Sequence, residues 1–118
     1  MLSEIGVEQV YLACGPTDLR KSIDGLSAMV QQTFSLDPFA PVLFVFCNRQ
    51  RDKLKILFWE HNGFWLIYRR LERGRFAWPK TSEGLTCAIS RRQLQWLLSG
   101  LSLEQRKAHP AVTASKIL

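Results

Sequence analysis

The chain has 118 residues, of which 47% are hydrophobic and 22% charged. This length fits one domain with one core and is too short for a two-domain enzyme. The net charge of +6 favours an anionic partner, either nucleic acid or an acidic surface, although many small basic domains bind neither. We expect residues 1–101 to form a single domain and residues 102–118 to form a flexible tail.

Three cysteines, Cys14, Cys47 and Cys87, lie in apolar runs without CxxC spacing. This pattern predicts buried free thiols in a reducing, cytoplasmic setting. The N-terminus lacks a basic stretch followed by an apolar one, so we expect no signal peptide. The longest apolar run, VLFVFC, is too short to span a membrane.

The first half of the chain predicts two strands separated by a helix. Residues 8–14 have the pattern of a strand, which the following GPTD ends. A helix capped by Thr17 or Asp18 is predicted to run to about Thr33, because apolar residues recur every three or four positions. Residues 42–47 then form a continuous apolar run that predicts a central strand.

The second half predicts a hairpin. The runs KLKILFW (53–59) and FWLIYRRL (64–71) flank Asn62-Gly63, which is the strongest short hairpin signal. A two-residue turn at Asn62-Gly63 would place Lys55 opposite Arg70.

The remaining elements are short. Arg73-Gly74 indicates a second turn before a strand at 75–79, and LTCAI (85–89) predicts another strand. The capping-box pattern SRRQ (90–93) opens a second helix. Together these elements predict an α+β fold, an antiparallel β-meander of about five to six strands with two helices packed on one face.

The excess charge is concentrated in one segment. Residues 47–80 hold nine basic and three acidic side chains, so their net charge of 9 − 3 = +6 equals that of the whole chain. Because side chains alternate across a strand, this segment separates into two faces. The predicted core face consists of Leu54, Ile56, Phe58, Trp65, Ile67, Leu71, Phe76 and Trp78. The predicted outer face includes Lys53, Lys55, Trp59, Tyr68, Arg70 and Arg75.

The outer face predicts an anion site. Like charges directly opposite each other on a sheet are destabilising, so Lys55 and Arg70 would need an anion such as phosphate between them. Tyr68 and Trp59 beside them could stack on bases. Alternatively, the long basic side chains cover apolar surface and the aromatic rings pack a second layer. The candidate DNA-binding residues are Arg49, Arg51, Lys53, Lys55, Trp59, Tyr68, Arg70 and Arg75.

A possible secondary anion site lies at the predicted start of the first helix. Arg20 and Lys21 would stand in its first turn, which is the unfavourable end of the helix dipole for cations. They either serve anions or are neutralised by Asp18 and Asp24.

No arrangement of residues predicts catalysis. The sequence contains no metal-ligand spacing and no P-loop, dinucleotide or GxSxG pattern. The histidines lie beside a turn, at His61, and in the tail, at His109. The acidic residues are scattered through a basic context. We therefore expect a non-catalytic protein without a metal or cofactor.

The stretches TDLRKSIDGL (17–26) and CNRQRDKLKILFWEHNGFWLIYRRLERGRFAWP (47–79) resemble the TnpB accessory proteins of the bacterial insertion-sequence family sixty-six. The resemblance covers about residues 7–101, with Gln50 interrupting a run of basic residues after Asn48. It implies a role in DNA transposition beside a separate transposase and a second small element-encoded protein. It implies no catalytic residues.

Two molecular roles remain open at this point. The chain is either an accessory protein that binds DNA phosphates through its basic face, or a protein–protein adaptor that docks on the transposase. In the second case Trp59 and Tyr68 would anchor the interface, and the charge would steer association.

Overall fold

The computed structural model describes residues 5–79 and 84–103. Its strands are β1 (Gln9–Ala13), β2 (Val42–Cys47), β3 (Lys53–Glu60), β4 (Gly63–Arg70) and β5 (Thr86–Ser90). Its helices are α1 (Ile23–Ala28), which continues as a π-helical segment (Met29–Thr33), and α2 (Arg91–Leu98). The strands form one sheet in the order β4-β3-β2-β1-β5. The predicted α+β class is confirmed, with five strands in the described residues.

The sheet is mixed, so the predicted antiparallel meander is wrong at one pair of strands. β1 and β2 run parallel, whereas the pairs β1–β5, β2–β3 and β3–β4 are antiparallel. A parallel pair needs a long crossover, and the segment that contains α1 supplies it.

The two helices cover opposite faces of the sheet, so the prediction that both lie on one face is wrong. Alternate residues of β2 belong to two separate cores, and all six are buried. One core contains α2 together with Leu43, Val45 and Cys47. The other contains α1 together with Val42, Phe44 and Phe46. A strand that is apolar on both faces must be covered on both, which explains the arrangement.

The β3–β4 hairpin turns one residue earlier than Asn62-Gly63. Glu60 pairs with Gly63, so the two central residues of the turn are His61 and Asn62. Both have positive φ angles, 48° and 66°. This is the conformation that a type I′ turn requires. The predicted hairpin is therefore confirmed, but its central positions differ.

The register of the hairpin consequently differs by two residues from the predicted one. Lys55 lies opposite Tyr68, and Lys53 lies opposite Arg70. The predicted pairing of Lys55 with Arg70 is wrong. A shift of two preserves the faces, so most of the predicted core face is buried or packed against the core. Trp65 is the exception, with 48% of its surface exposed.

The predicted strand at 75–79 is absent, and the segment instead crosses the α2 face of the sheet. The N–H of Phe76 donates to the carbonyl of Arg51 at 2.7 Å. The indole Nε1 of Trp78 donates to the carbonyl of Ala13 at 3.0 Å. Phe76 and Trp78 are buried as predicted. Their burial, rather than pairing with β4, determines the course of the chain.

The first helix begins later than predicted. α1 starts at Ile23 with Ser22 at its N-cap position, and no side-chain hydrogen bond caps it. The predicted capping residue Asp18 lies upstream of the helix, where its carboxylate binds Arg20. The capping box of α2 is confirmed. The hydroxyl of Ser90 accepts from the N–H of Gln93, whose side chain accepts from the N–H of Ser90.

All three cysteines are free, but only Cys47 is fully buried. Burial raises the pKa of the Cys47 thiol to about 12, so this thiol is unreactive at neutral pH. Among the described residues, no helix has both the length and the apolar character needed to cross a membrane. The predicted tail lies outside the described residues beyond position 103.

Candidate nucleic-acid interface

A groove of about 830 Å³ opens on the α1 side of the sheet. Its walls are the 16–20 segment after β1, the 48–50 turn after β2, and side chains of β3 and β4. Four cations line it, namely Arg20, Arg49, Lys53 and Lys55, together with one carboxylate, that of Asp18. The formal charge of these side chains is 4 − 1 = +3. We call this cavity the basic groove.

The turn between β2 and β3 is braced by Asn48, which sequence reasoning did not single out. Its Oδ1 accepts from the N–H groups of Asp52 and Lys53, each at 3.1 Å. Its Nδ2 donates to the carboxylate of Asp52 at 2.8 Å, which lowers the pKa of that carboxyl. Arg51 adopts a φ of 63°. The braced turn leaves Arg49 exposed at its tip. An Asn at the end of a strand, where it can bond its own turn, was the available signal.

Lys55 is fastened to the backbone of the opposite wall. Its Nζ donates to the carbonyl oxygens of Leu19 at 2.7 Å and Lys21 at 2.9 Å. The same ammonium lies 5.9 Å from the centroid of the Tyr68 ring, within range of a cation–π interaction. The 19–21 segment therefore takes two of the three hydrogen-bond donors of the Lys55 ammonium.

The two cations of the predicted secondary site have different surroundings. The guanidinium of Arg20 grips Asp18, with Nη2 at 2.8 Å from Oδ2, and these bonds lower the pKa of Asp18 to about 2. The pair therefore stays ionised at neutral pH. The stem of Lys21 lies against Gly25, where an added Cβ would stand 3.2 Å from the Cβ of Lys21. Glycine at this position gives Lys21 room.

Thr17, which borders the basic groove, carries a buried hydroxyl. The residue is only 4% exposed. Its N–H donates to the carbonyl of Cys47 at 2.8 Å, which joins the walls that follow β1 and β2. Its Oγ1 has no hydrogen-bond partner in residues 5–79 and 84–103. An unsatisfied buried hydroxyl destabilises a protein by about 1–3 kcal/mol.

Replacing Thr17 with valine should therefore leave the free energy of unfolding unchanged or raise it by about 1 kcal/mol, because shape is kept and the unsatisfied hydroxyl is removed. Urea denaturation measures this change. Thr17→Ala is the control, and it should lower the free energy by about 1 kcal/mol because it also removes a methyl group. A valine variant as unstable as the alanine variant would show that the hydroxyl has a partner.

Three other candidate arginines lie outside the basic groove. Arg51 lines a smaller hollow of about 360 Å³ beside Trp78. Arg70 pairs with Glu72, with Nη2 at 2.9 Å from Oε2. Arg75 is exposed, and its charge helps to lower the pKa of Asp52.

Trp59 is on the same face as the basic groove but at the other end of β3. Six residues separate it from Lys53, which corresponds to about 20 Å along a strand. Its ring packs edge-on against Phe39, with centroids 4.8 Å apart, and against Phe64 at 5.0 Å. The structure therefore brings Arg49, Lys53, Lys55 and Tyr68 together, and leaves Trp59 in a separate aromatic cluster.

Comparison with known proteins assigns the family. The model of the family described as IS66 Orf2 like protein, TnpB of IS66 elements, matches residues 8–108. The chain belongs to this family. Two proteins of Sinorhizobium fredii, both described as uncharacterized, are similar to this member of the TnpB family. Protein y4hO is 42% identical over 93 residues, which cover 79% of this chain and 80% of the relative. Protein y4jC is 28% identical over 109 residues, 92% of each. No solved structure matches significantly.

Membership of the TnpB family indicates an accessory role in transposition, in company with the transposase of an IS66 element. The residues that line the basic groove all fall within the stretch that the family model matches. Within the described part of this TnpB chain, no group of three or more His, Cys, Asp or Glu side chains is arranged to hold a metal ion.

Proposed function

We propose that this protein is a non-catalytic accessory subunit of IS66 transposition that binds DNA phosphates through the basic groove. The observation that supports this role concerns the ion pairing of Arg49 and Lys53. Both line the groove, and neither has an ion-pair partner among the described residues. Cations without a protein partner are the ones that can take up phosphates.

The two cations differ in the contact that they offer. Arg49 stands at the tip of the turn braced by Asn48, so its guanidinium can reach outward and grip a phosphate in bidentate fashion. Lys53 is half-buried at the start of β3 and offers a point charge at the base of the groove. Neither geometry reads a base edge, so the binding is expected to be largely independent of sequence.

The salt dependence of DNA affinity tests this proposal. Each phosphate contact contributes about −0.9 to the slope of log K against log salt. The double variant Arg49→Gln with Lys53→Gln should therefore make the slope less steep by about 2. Fluorescence anisotropy with a labelled duplex, over a series of salt concentrations, gives the slope.

The matched control removes the same charge from the opposite face. Arg69 lies across from Leu54 on the α2 side of the sheet, and Arg92 is exposed on α2. Arg69→Gln with Arg92→Gln should leave the slope near that of the parent protein. A parent slope near zero, or an equal loss in the control, would contradict the proposed role.

A second candidate function is an adaptor that docks on the transposase or on the second element-encoded protein. The aromatic cluster supports it, because Phe39 is 53% exposed and packs on Trp59 and Phe64 far from the basic groove. Exposed aromatic residues are common anchors of protein interfaces. Co-purification with the transposase that survives nuclease and high salt favours this function, whereas loss on nuclease treatment favours DNA binding.

A further inference from the structure

Tyr68 supplies the basic groove with an accessible aromatic surface. It belongs to β4, lines the groove and is 52% exposed. The ammonium of Lys55, which is held by two backbone carbonyls, lies against this ring. Lys55 therefore contacts the Tyr68 ring and also connects β3 to the 19–21 segment.

We propose that the basic groove binds single-stranded DNA, with an unpaired base stacked on Tyr68 and the adjacent phosphates held by Arg49 and Lys53. This inference rests on the proposed function, because it specifies which form of DNA the groove takes.

The register of the hairpin places Tyr68 and Lys53 at a separation that suits one nucleotide. Tyr68 lies directly opposite Lys55, so Lys53 is its diagonal neighbour on the same face of the sheet. Such neighbours are about 7–8 Å apart. A single nucleotide can bridge this separation from its base to its phosphate. The combination of a basic groove with an aromatic platform is typical of proteins that bind single strands.

Duplex DNA cannot use the Tyr68 ring in this way, because its bases are already paired and stacked within the helix. A duplex would contact the rim of the groove through phosphates alone. The volume of the groove, about 830 Å³, also lies in the range of pockets for small ligands. The groove therefore suits a short stretch of strand rather than the width of a double helix.

The groove thus combines cations with an exposed aromatic ring, which are groups that a nucleotide can engage.

Affinities for two DNA probes test the inference. The probes are a labelled oligothymidylate of about twelve nucleotides and a duplex of similar length. The parent protein should bind the single strand more tightly. Tyr68→Leu should weaken single-strand binding by about 5- to 100-fold, and change duplex binding by less than about twofold. Tyr68→Phe, which keeps the ring, should retain single-strand affinity.

Trp65→Leu provides the matched control. Trp65 is on the same strand and similarly exposed, but it lies on the opposite face, stacked on Phe58. Its replacement should leave both affinities near those of the parent. An independent readout uses the unaltered protein with a bromodeoxyuridine-substituted single strand. Ultraviolet cross-linking followed by peptide mass spectrometry should place the cross-link at Tyr68.

The outcomes separate this inference from the proposed function. Salt-dependent duplex binding without a preference for single strands, with no effect of Tyr68→Leu, would overturn the inference alone. If the protein binds neither the single strand nor the duplex, both the inference and the proposed function are overturned. A Tyr68→Leu variant that keeps its DNA affinities but loses the transposase would assign Tyr68 to a protein interface and overturn the inference.

Discussion

Replacing Lys55 with methionine should lower the free energy of unfolding by about 2 kcal/mol, although the side chain is charged and only half-buried. Methionine keeps the apolar stem but removes the ammonium that binds the carbonyls of Leu19 and Lys21. These bonds connect β3 to the segment before α1, so their loss should loosen the wall of the basic groove. Urea denaturation followed by tryptophan fluorescence measures the change.

Lys53→Met is the matched control for this substitution. Lys53 precedes Lys55 by two residues on the same strand and face, and no hydrogen bond from its ammonium is seen among the described residues. Its replacement should change the free energy of unfolding by less than about 0.5 kcal/mol, but weaken DNA binding. Equal stability of the two variants would show that the Lys55 ammonium does not anchor the wall.

Replacing Trp78 with alanine should lower the free energy of unfolding by about 3–5 kcal/mol. The residue is only 6% exposed, and its indole N–H holds the carbonyl of Ala13 across the sheet. The substitution leaves a cavity and removes the hydrogen bond to the Ala13 carbonyl. Because small domains are stable by about 5–15 kcal/mol, the variant should approach unfolding at room temperature. Thermal denaturation followed by circular dichroism measures the effect.

Two further variants identify the source of that loss. Trp65→Ala makes the same substitution at a half-exposed site and should lower the free energy by about 1 kcal/mol or less. Trp78→Phe retains most of the ring but not the N–H, and should lower it by about 1–3 kcal/mol. Similar stabilities for the alanine variants of Trp78 and Trp65 would contradict the packing of the 71–79 segment on the sheet.

Local patterns in the sequence predicted local structure well. The alternation in β3 correctly assigned Leu54, Ile56 and Phe58 to a core, because burial on one face of a strand has a period of two. The capping box at Ser90 was equally informative, because both of its hydrogen bonds form within four residues.

Local patterns gave wrong predictions where contacts with distant segments determine the structure. Residues 75–79 alternate like a strand, yet they cross the sheet without pairing, because Phe76 and Trp78 bury themselves in the α2 core. In the hairpin, Asn adopts positive φ more readily than most other residues, so Asn62 is compatible with either central position of the turn.

The surroundings of the candidate site likewise depend on contacts between distant segments. Alternation correctly assigned Lys53, Lys55 and Trp59 to one face of β3, but it carries no information about which other segments cover each part of that face. Lys55 meets the 19–21 backbone, and Trp59 meets Phe39. Such contacts join residues more than fifteen positions apart and depend on strand order, which periodicity does not encode.

The parallel pairing of β1 and β2 has a consequence for how the basic groove can change. Neighbouring parallel strands end at the same edge of a sheet, so the segments after Ala13 and Cys47 meet there, joined by the bond from the N–H of Thr17 to the Cys47 carbonyl. In open sheets, ligand crevices commonly lie beyond such strand ends. Two walls of the groove are therefore connecting segments, held on the fixed scaffold of the sheet. Substitutions at 16–20 and 48–50 can change what it accepts while the sheet keeps its core.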